Sequence, residues 1–298
     1  MTDPDSKRRR SITEVINEGM LKNLIPHFSK EHHKGTGGTA LLFCGSVGYA
    51  GAAALSAAGC LRCGVGIVRC VVPEKIYPIV SSAVPEAVFS VGGGRDRITK
   101  KDVQRVIKNN YRVSSVLIGC GIGTKSGTER AVEDVLREFN VPTVIDADGL
   151  NLLSSRIYCI KRHPDTIITP HPGEAARLLG TTAEDIQSDR FSAVVKLSEI
   201  TGGIAVLKGH NTLIADTNGN VFVCPFGNPG MGKGGSGDVL SGMITAFLAQ
   251  GMKPLDSAIL GVSLHSLAGD AAAERLGEIS MMPTDIIKAL PDVIKNLY

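Results

Sequence analysis

Short apolar runs alternate with segments of helical period along most of the chain, and no other feature constrains the fold as much. The runs Ala40–Cys44, Gly66–Val72, Glu86–Val91, Ser115–Gly119, Thr143–Asp146, Thr166–Thr169 and Ile204–Leu207 are short, and several are continuous and Val/Ile-rich. Strands covered on both faces read this way. Two more runs, Thr212–Ala215 and Val221–Cys224, follow in quick succession. Helical patterns lie between the runs at Gly51–Arg62, Lys101–Asn109, Thr128–Asn140, Glu174–Leu179 and Glu184–Thr201. The last begins near Thr182 and Asp185, which have capping-box spacing. The alternation predicts an α/β chain with a mainly parallel central sheet and helices on both faces. No Pro/Ser linker or internal repeat divides the 298 residues. Residues 12–298 therefore read as a single domain, after a flexible basic leader over 1–11 that contains Lys7-Arg8-Arg9-Arg10.

Composition narrows the function classes. Hydrophobic residues make up 43% and charged residues 20%, enough apolar material for a full core. A net charge of +3 is too small to argue for nucleic acid. No stretch reaches the roughly 18 uninterrupted apolar residues of a membrane helix. The seven cysteines are scattered, mostly within apolar runs, which fits core thiols in a reducing, cytoplasmic setting. Cys60-x-x-Cys63 lacks the second ligand pair that a zinc site needs.

The most informative segment is Asn228-Pro229-Gly230-Met231-Gly232-Lys233-Gly234-Gly235-Ser236-Gly237-Asp238, set between a β-rich run and a helical one. Glycines at a helix start let backbone N–H groups close around an anion, and the helix dipole favours phosphate there. Asp238 lies in the first turn beside that site. A carboxylate repels a bound phosphate, so its place is explained either by general-base work on a hydroxyl meeting a phosphoryl group, or by simple charge complementarity to the helix start. Gly227 to Lys233 matches the first part of the P-loop pattern, but Gly234 stands where a hydroxyl should bind magnesium. Gly232-x-Gly234-x-x-Gly237 matches a dinucleotide fingerprint without the second strand and acidic residue that class requires.

Other candidates sit where strands end, the usual place for ligands in α/β sheets. His171, held between Pro170 and Pro172, reads as a ligand contact or proton carrier, or as a local cap. Asp146 and Asp148 could hold magnesium through water, or make a backbone bond and a helix cap. Lys208 could pair with phosphate, or be an exposed hairpin lysine. Gly119-Cys120-Gly121-Ile122-Gly123 allows close ligand approach or forms a plain turn. His32-His33-Lys34-Gly35-Thr36-Gly37-Gly38 reads as a flexible lid over an anion.

Taken in order, these pieces closely resemble the NAD(P)H-hydrate dehydratases, the carbohydrate-kinase-like branch of the ribokinase superfamily. The order is His33-Lys34-Gly35, Gly45-Ser46 with Ala50-Gly51-Ala52-Ala53, Arg62-x-Gly64-x-Gly66, Gly119-x-Gly121-x-Gly123, Asp146-Ala147-Asp148, Thr169-Pro170-His171-Pro172-Gly173-Glu174, Lys208-Gly209 and Gly232 through Asp238. The likeness runs from about Leu24 to the C-terminus. Cys120 stands where the family often has Pro, and Gly232 where it often has Ala. The resemblance implies a three-layer αβα ribokinase-like fold. It implies dehydration of (6S)-NADHX and NADPHX back to NADH and NADPH, coupled to hydrolysis of ADP, or of ATP, with Mg2+. It implies contacts to the hydrated cofactor from Ala52, Gly121, His171 and Asp238, with Asp238 catalytic. Nucleotide contacts would come from Lys208, Gly209, His210, Asn211, Thr212 and Gly237. It also implies a homo-oligomer, dimer or tetramer, and a separate NAD(P)HX epimerase as functional partner, since only a short leader precedes the domain here. The competing readings are a kinase acting on an alcohol of a vitamin- or sugar-like substrate, and a nucleotide-binding protein without catalysis.

Overall fold

A computed structural model describes residues 12–109, 111–163 and 165–298. The basic leader expected over 1–11 lies outside the described residues. Among them, ten strands form one sheet: β1 (Thr13–Val15), β2 (Thr39–Phe43), β3 (Ile67–Val72), β4 (Val88–Val91), β5 (Ser115–Ile118), β6 (Thr143–Ile145), β7 (Thr166–Ile168), β8 (Ile204–Leu207), β9 (Thr212–Ala215) and β10 (Val221–Cys224). Their order is β1-β10-β9-β8-β7-β6-β5-β2-β3-β4. Neighbours run parallel except β8–β9 and β9–β10. The parallel strands therefore deliver their carboxyl ends to one edge of the sheet.

Strand residues alternate strictly between two cores, as a period of two requires. Ala40, Leu42 and Cys44 enter one core, while Leu41 and Phe43 enter the other. Helices Ala50–Arg62, Ser236–Ala249 and Pro254–Leu276 cover the first face. Helices Lys100–Lys108, Thr128–Glu138 and Arg190–Thr201 cover the second. This is the three-layer αβα arrangement expected from the alternation of runs.

Two helices of the first face meet with almost nothing between them. A side chain at Gly59 would come within 2.7 Å of the Val239 carbonyl oxygen, and one at Gly242 would collide with the Ser56 carbonyl oxygen. Glycine at both points lets backbone lie on backbone, which fixes the Ser236–Ala249 helix against the Ala50–Arg62 helix.

Three expectations need correction. The helix expected over 184–201 is two, Ala183–Ser188 and Arg190–Thr201. Asp189 breaks it at φ −144°, ψ 76°, because its carboxylate accepts the Ser192 amide (3.0 Å) and starts the second helix. β1 pairs in parallel with β10 at the sheet edge, in a segment with no apolar alternation to announce it. The segment His32–Gly38 leads into the amino end of β2, opposite the edge where the parallel strands finish. It packs there, with Gly38 tight on Ala249 and Gly66 tight on Lys34, so it is not a lid over the candidate site.

Candidate active site

The Gly-rich loop enters the Ser236–Ala249 helix through Gly235, in the left-handed region at φ 103° with no side-chain cap. The amides of the first turn therefore face the loop without a side chain spent on them. This is an anion cradle by construction. Lys233 does not reach into it. Its ammonium donates to the carbonyls of Glu278 (2.9 Å), Ile279 (2.8 Å) and Met281 (2.6 Å), so the partial P-loop match has a structural lysine.

Asp238 sits in the first turn, partly buried. Burial pushes its carboxyl up from the ordinary 3.8 to about 6, and the nearby Asp146 charge adds to this. The Cys120 thiol and the Lys208 ammonium act in the opposite direction. Such a carboxyl is mostly ionised at neutral pH yet more basic than an ordinary aspartate, a property that suits a general base.

The Lys208 ammonium is locked between carboxylates. Its Nζ lies 2.7 Å from Asp146 Oδ1 and 3.8 Å from Glu174 Oε2, with the lysine side chain only 20% exposed. Burial alone would push this ammonium down, but Asp146 and Glu174 outweigh it and hold it above its ordinary range. The reading of Lys208 as an exposed hairpin lysine is therefore wrong. It ends β8 in a tight hairpin, where Asn211 takes φ 52° and Thr212 Oγ1 donates to the Gly209 carbonyl (2.9 Å). A Cβ added to Gly237 would stand 3.4 Å from Lys208 Nζ, so the ammonium lies directly behind the cradle.

Asp146 is the buried hub. Besides Lys208, it accepts from Ser241 Oγ (2.7 Å) and from the Ala147 amide (2.8 Å). Ser241, three residues beyond Asp238 on the same helix, escaped sequence reasoning; the i,i+3 spacing was its only signal. Ala147 is held at φ 48°, ψ −120°, a strained backbone for alanine of the kind that collects at functional sites. Asp148 does not cap its helix with its side chain. It accepts the Gly123 amide instead (2.8 Å) and ties two strand-end loops together. Among the described residues no group of three or more His, Cys, Asp or Glu is arranged to hold a metal. The Asp146 carboxylate already accepts from Lys208, Ser241 and the Ala147 amide, with the Cys120 thiol 3.9 Å from its Oδ2.

His171 is the N-cap of the Pro172–Leu179 helix. Its Nδ1 accepts from the amides of Gly173 (3.0 Å) and Glu174 (3.4 Å), and Glu174 returns the capping box by accepting the His171 amide (2.9 Å). An accepting Nδ1 puts the proton on Nε2, toward Glu174 Oε1 at 3.4 Å. Burial and then the Lys208 charge lower the His171 imidazole below its ordinary range, which keeps this neutral form. The cap reading therefore holds, with the His171 side chain still about half exposed.

Two cavities flank this helix start. One, of about 840 Å³, is lined by Ala52, Gly121, Asp148, Gly235 and Asp238 among others. The other, of about 730 Å³, is lined by Lys208 through Thr212, Ser236, Gly237 and His171. Asp238 thus faces one cavity while Gly237, its neighbour, faces the second. The resemblance groups His171 with Ala52, Gly121 and Asp238 as contacts to the hydrated cofactor; in the structure His171 follows β7 and lines the second cavity beside Lys208. Gly121 needs its lack of a side chain: at φ 63° a Cβ would lie 2.8 Å from the Ala52 Cβ and 2.9 Å from the Tyr49 Cβ. All seven cysteines are free, and burial pushes the Cys60, Cys63 and Cys70 thiols well up, which leaves them inert.

The carbohydrate-kinase family model described as NAD(P)H-hydrate dehydratase matches residues 40–292. The bifunctional NAD(P)H-hydrate repair enzyme of Moorella thermoacetica is 36% identical over 292 residues, covering 95% of this chain and 54% of that one. The ADP-dependent (S)-NAD(P)H-hydrate dehydratase of Neisseria meningitidis is 36% identical over 262 residues, covering 85% and 84%. The ADP/ATP-dependent NAD(P)H-hydrate dehydratase of Bacillus subtilis, crystallised with ATP and Mg2+, superposes with a TM-score of 0.84 at 28% identity, covering 96% and 99%. A ribokinase-like protein of Enterococcus faecalis matches with the same TM-score at 26% identity, covering 96% of each chain. The chain spans about half the length of the bifunctional relatives it matches. With a ribokinase-like fold and a family match over most of its length, the chain belongs to the NAD(P)H-hydrate dehydratase family.

Proposed function

We propose that residues 12–298 form one dehydratase domain that returns the 6S hydrates of NADH and NADPH to the reduced cofactors while hydrolysing ADP, or ATP, to phosphate and the shorter nucleotide. The observation that carries this reading is the helix start that walls off two cavities, with Asp238 on one side and the anion cradle with Lys208 on the other. The hydrated nicotinamide ring occupies the larger cavity beside Ala52, Gly121 and Asp238. The nucleotide occupies the smaller one beside Lys208, Gly209, His210, Asn211, Thr212 and Gly237, with His171 at its border.

In this arrangement Asp238 takes the proton from the C6 hydroxyl, and that oxygen attacks the terminal phosphoryl group of the nucleotide. The bond from phosphorus to the bridging oxygen breaks, releasing AMP from ADP or ADP from ATP. The lone pair of the ring nitrogen then expels the phosphate from C6, and loss of the C5 proton restores the double bond of NADH or NADPH. The cradle amides and Lys208 counter the charge on the phosphoryl oxygens. Magnesium, when bound with the nucleotide, would neutralise phosphate charge, and Asp146 is the residue that would hold it, through water.

The relatives with the longer chains are named for a bifunctional repair activity. The R epimer needs an epimerase before this site can use it, and a chain of the same compartment is the functional partner we propose. No helix among the described residues is long and apolar enough to cross a membrane, which supports a cytoplasmic placement. Light scattering tests the dimer or tetramer implied by the family. The decisive assay mixes the protein with hydrated cofactor and either nucleotide, and follows the reduced-nicotinamide absorbance together with free phosphate. Stoichiometric NADH and phosphate are expected. A stable phosphate ester would establish a kinase instead.

A further inference from the structure

The lining of the larger cavity can be ordered by contact from its base to its rim. At the base, Gly235 beside Asp238 packs on Leu55, where an added Cβ would lie 2.6 Å from Leu55 Cδ1. Next, Gly121 abuts Ala52 and Tyr49. The loop of Tyr49 carries Val47, whose amide donates to the Asp96 carbonyl (2.9 Å). Asp96 in turn pairs with Lys75 at 2.7 Å, both about half exposed. Arg97 and Lys125 line the same cavity. The cavity that Asp238 lines therefore also carries the basic groups of Lys75, Arg97 and Lys125.

The charges on that rim are not equivalent. The Lys75 hydrogen bond holds the Asp96 carboxyl below its ordinary range, with further help from the charges of Lys75, Arg95 and Lys125. Lys75 is thus neutralised within the rim. Among the described residues Arg97 and Lys125 form no ion pair within 4 Å, and both line the cavity. A nicotinamide ring needs neither of them. The rest of a dinucleotide does: a ring seated at Asp238 leaves the ribose and pyrophosphate to lie along the same cavity, whose lining includes Tyr49, Gly121, Arg97 and Lys125.

We infer that Arg97 and Lys125 form a phosphate-binding rim for the hydrated dinucleotide, with Asp96 restraining Lys75 from joining it. The inference rests on the dehydratase reading of the same cavity. The chemistry recognised is a phosphate group, borne either by the pyrophosphate common to both hydrated cofactors or by the 2′-phosphate of the NADP form.

The test compares wild type with the double variant Arg97→Ala/Lys125→Ala at saturating ADP and low salt, using hydrated NADH and hydrated NADPH in separate arms. The expected result is a KM for hydrated cofactor about tenfold higher with kcat unchanged, the scale for two partly exposed charges on one anion. The KM for ADP stays at the wild-type value. Added salt raises the wild-type KM toward that of the variant, since exposed pairs are screened. The charge-keeping variant Arg97→Lys/Lys125→Arg recovers most of the loss, and Asp96→Asn lowers KM. A loss in both arms assigns the rim to the pyrophosphate; a loss with hydrated NADPH alone assigns it to the 2′-phosphate. Unchanged KM in both arms overturns the inference. Calorimetric titration of hydrated cofactor separates the two readings. Tighter binding by wild type without NADH formation removes the dehydratase reading and keeps the rim, whereas equal Kd values for wild type and variant remove the rim.

Discussion

The two cavities meet at one helix turn yet are built on opposite principles. The proposed substrate side is lined by Gly-rich loops together with Lys75, Arg97 and Lys125, and among the described residues its Asp238 forms no ion pair. On the nucleotide side lie apolar walls such as Phe226, Met231, Leu240 and Val262, and the cation there, Lys208, is buried and locked to carboxylates. The difference teaches how a single turn can serve both partners. In the proposed function, backbone amides and a fixed ammonium would hold phosphate on one side, while on the other burial keeps the Asp238 carboxyl more basic than an ordinary aspartate. Had Asp238 been paired with Lys208 in place of Asp146, its carboxyl would be held low and would make a weak base.

The comparison breaks most sharply at Asp238. Asp238→Asn should lower kcat by about two to four orders of magnitude, the scale of a general base, while nucleotide affinity measured by calorimetry stays within a few fold. A parallel collapse of nucleotide binding would show that the two sides are not separable. In wild type, kcat/KM should rise with pH through about 6 and level off above it, because only the charged carboxylate accepts a proton. The same shift acts on stability with the opposite sign. The folded state prefers protonated Asp238, so this stabilisation is complete below about pH 4 and is lost as pH rises through about 6. Asp238→Asn should therefore raise Tm by a few degrees at pH 7 and leave it unchanged at pH 4.

The next largest effect belongs to Lys208. Lys208→Ala removes the partner of buried Asp146 and should cost about 3–5 kcal/mol in chemical denaturation, with loss of ADP binding. Lys208→Ala/Asp146→Asn should regain part of the stability and none of the binding. On the substrate side, Gly121→Ala places a methyl against Ala52 and Tyr49 at a positive φ. It should raise the KM for hydrated cofactor at least about tenfold and leave that for ADP unchanged, which sharpens the boundary between the cavities. The smallest change is expected from His171→Ala, which deletes an N-cap worth about 1 kcal/mol and should show mainly as a modest drop in denaturation midpoint. If instead the KM for ADP climbs steeply, the imidazole face toward the nucleotide matters more than its capping role.

Much of this was legible in the chain itself. Nine strands follow from Val/Ile-rich runs such as Ser115–Ile118, because a strand buried on both faces must be apolar throughout. β1 was not legible, since its three residues are exposed and pair only at an edge. The break at Asp189 depends on one carboxylate choosing the Ser192 amide, and an intact helical period hides that choice. The glycines around Asp238 announced the cradle, but nothing local told that Lys233 is tied to the 278–281 carbonyls while Lys208 stands behind the cradle. Such partners lie tens of residues apart and are chosen by topology. For the same reason His171 could be recognised as special without its side of the helix being known.

The bare crossing at Gly59 and Gly242 has a mechanical consequence. Where two main chains touch directly, no rotamer stands between them to soften or repack. Asp238 is therefore anchored to the scaffold like a tooth set in bone, and drift of the surrounding side chains would not carry it away from the cavity it lines. A methyl group on either glycine would act as a wedge at this joint, tilting Asp238 from a distance without touching the chemistry.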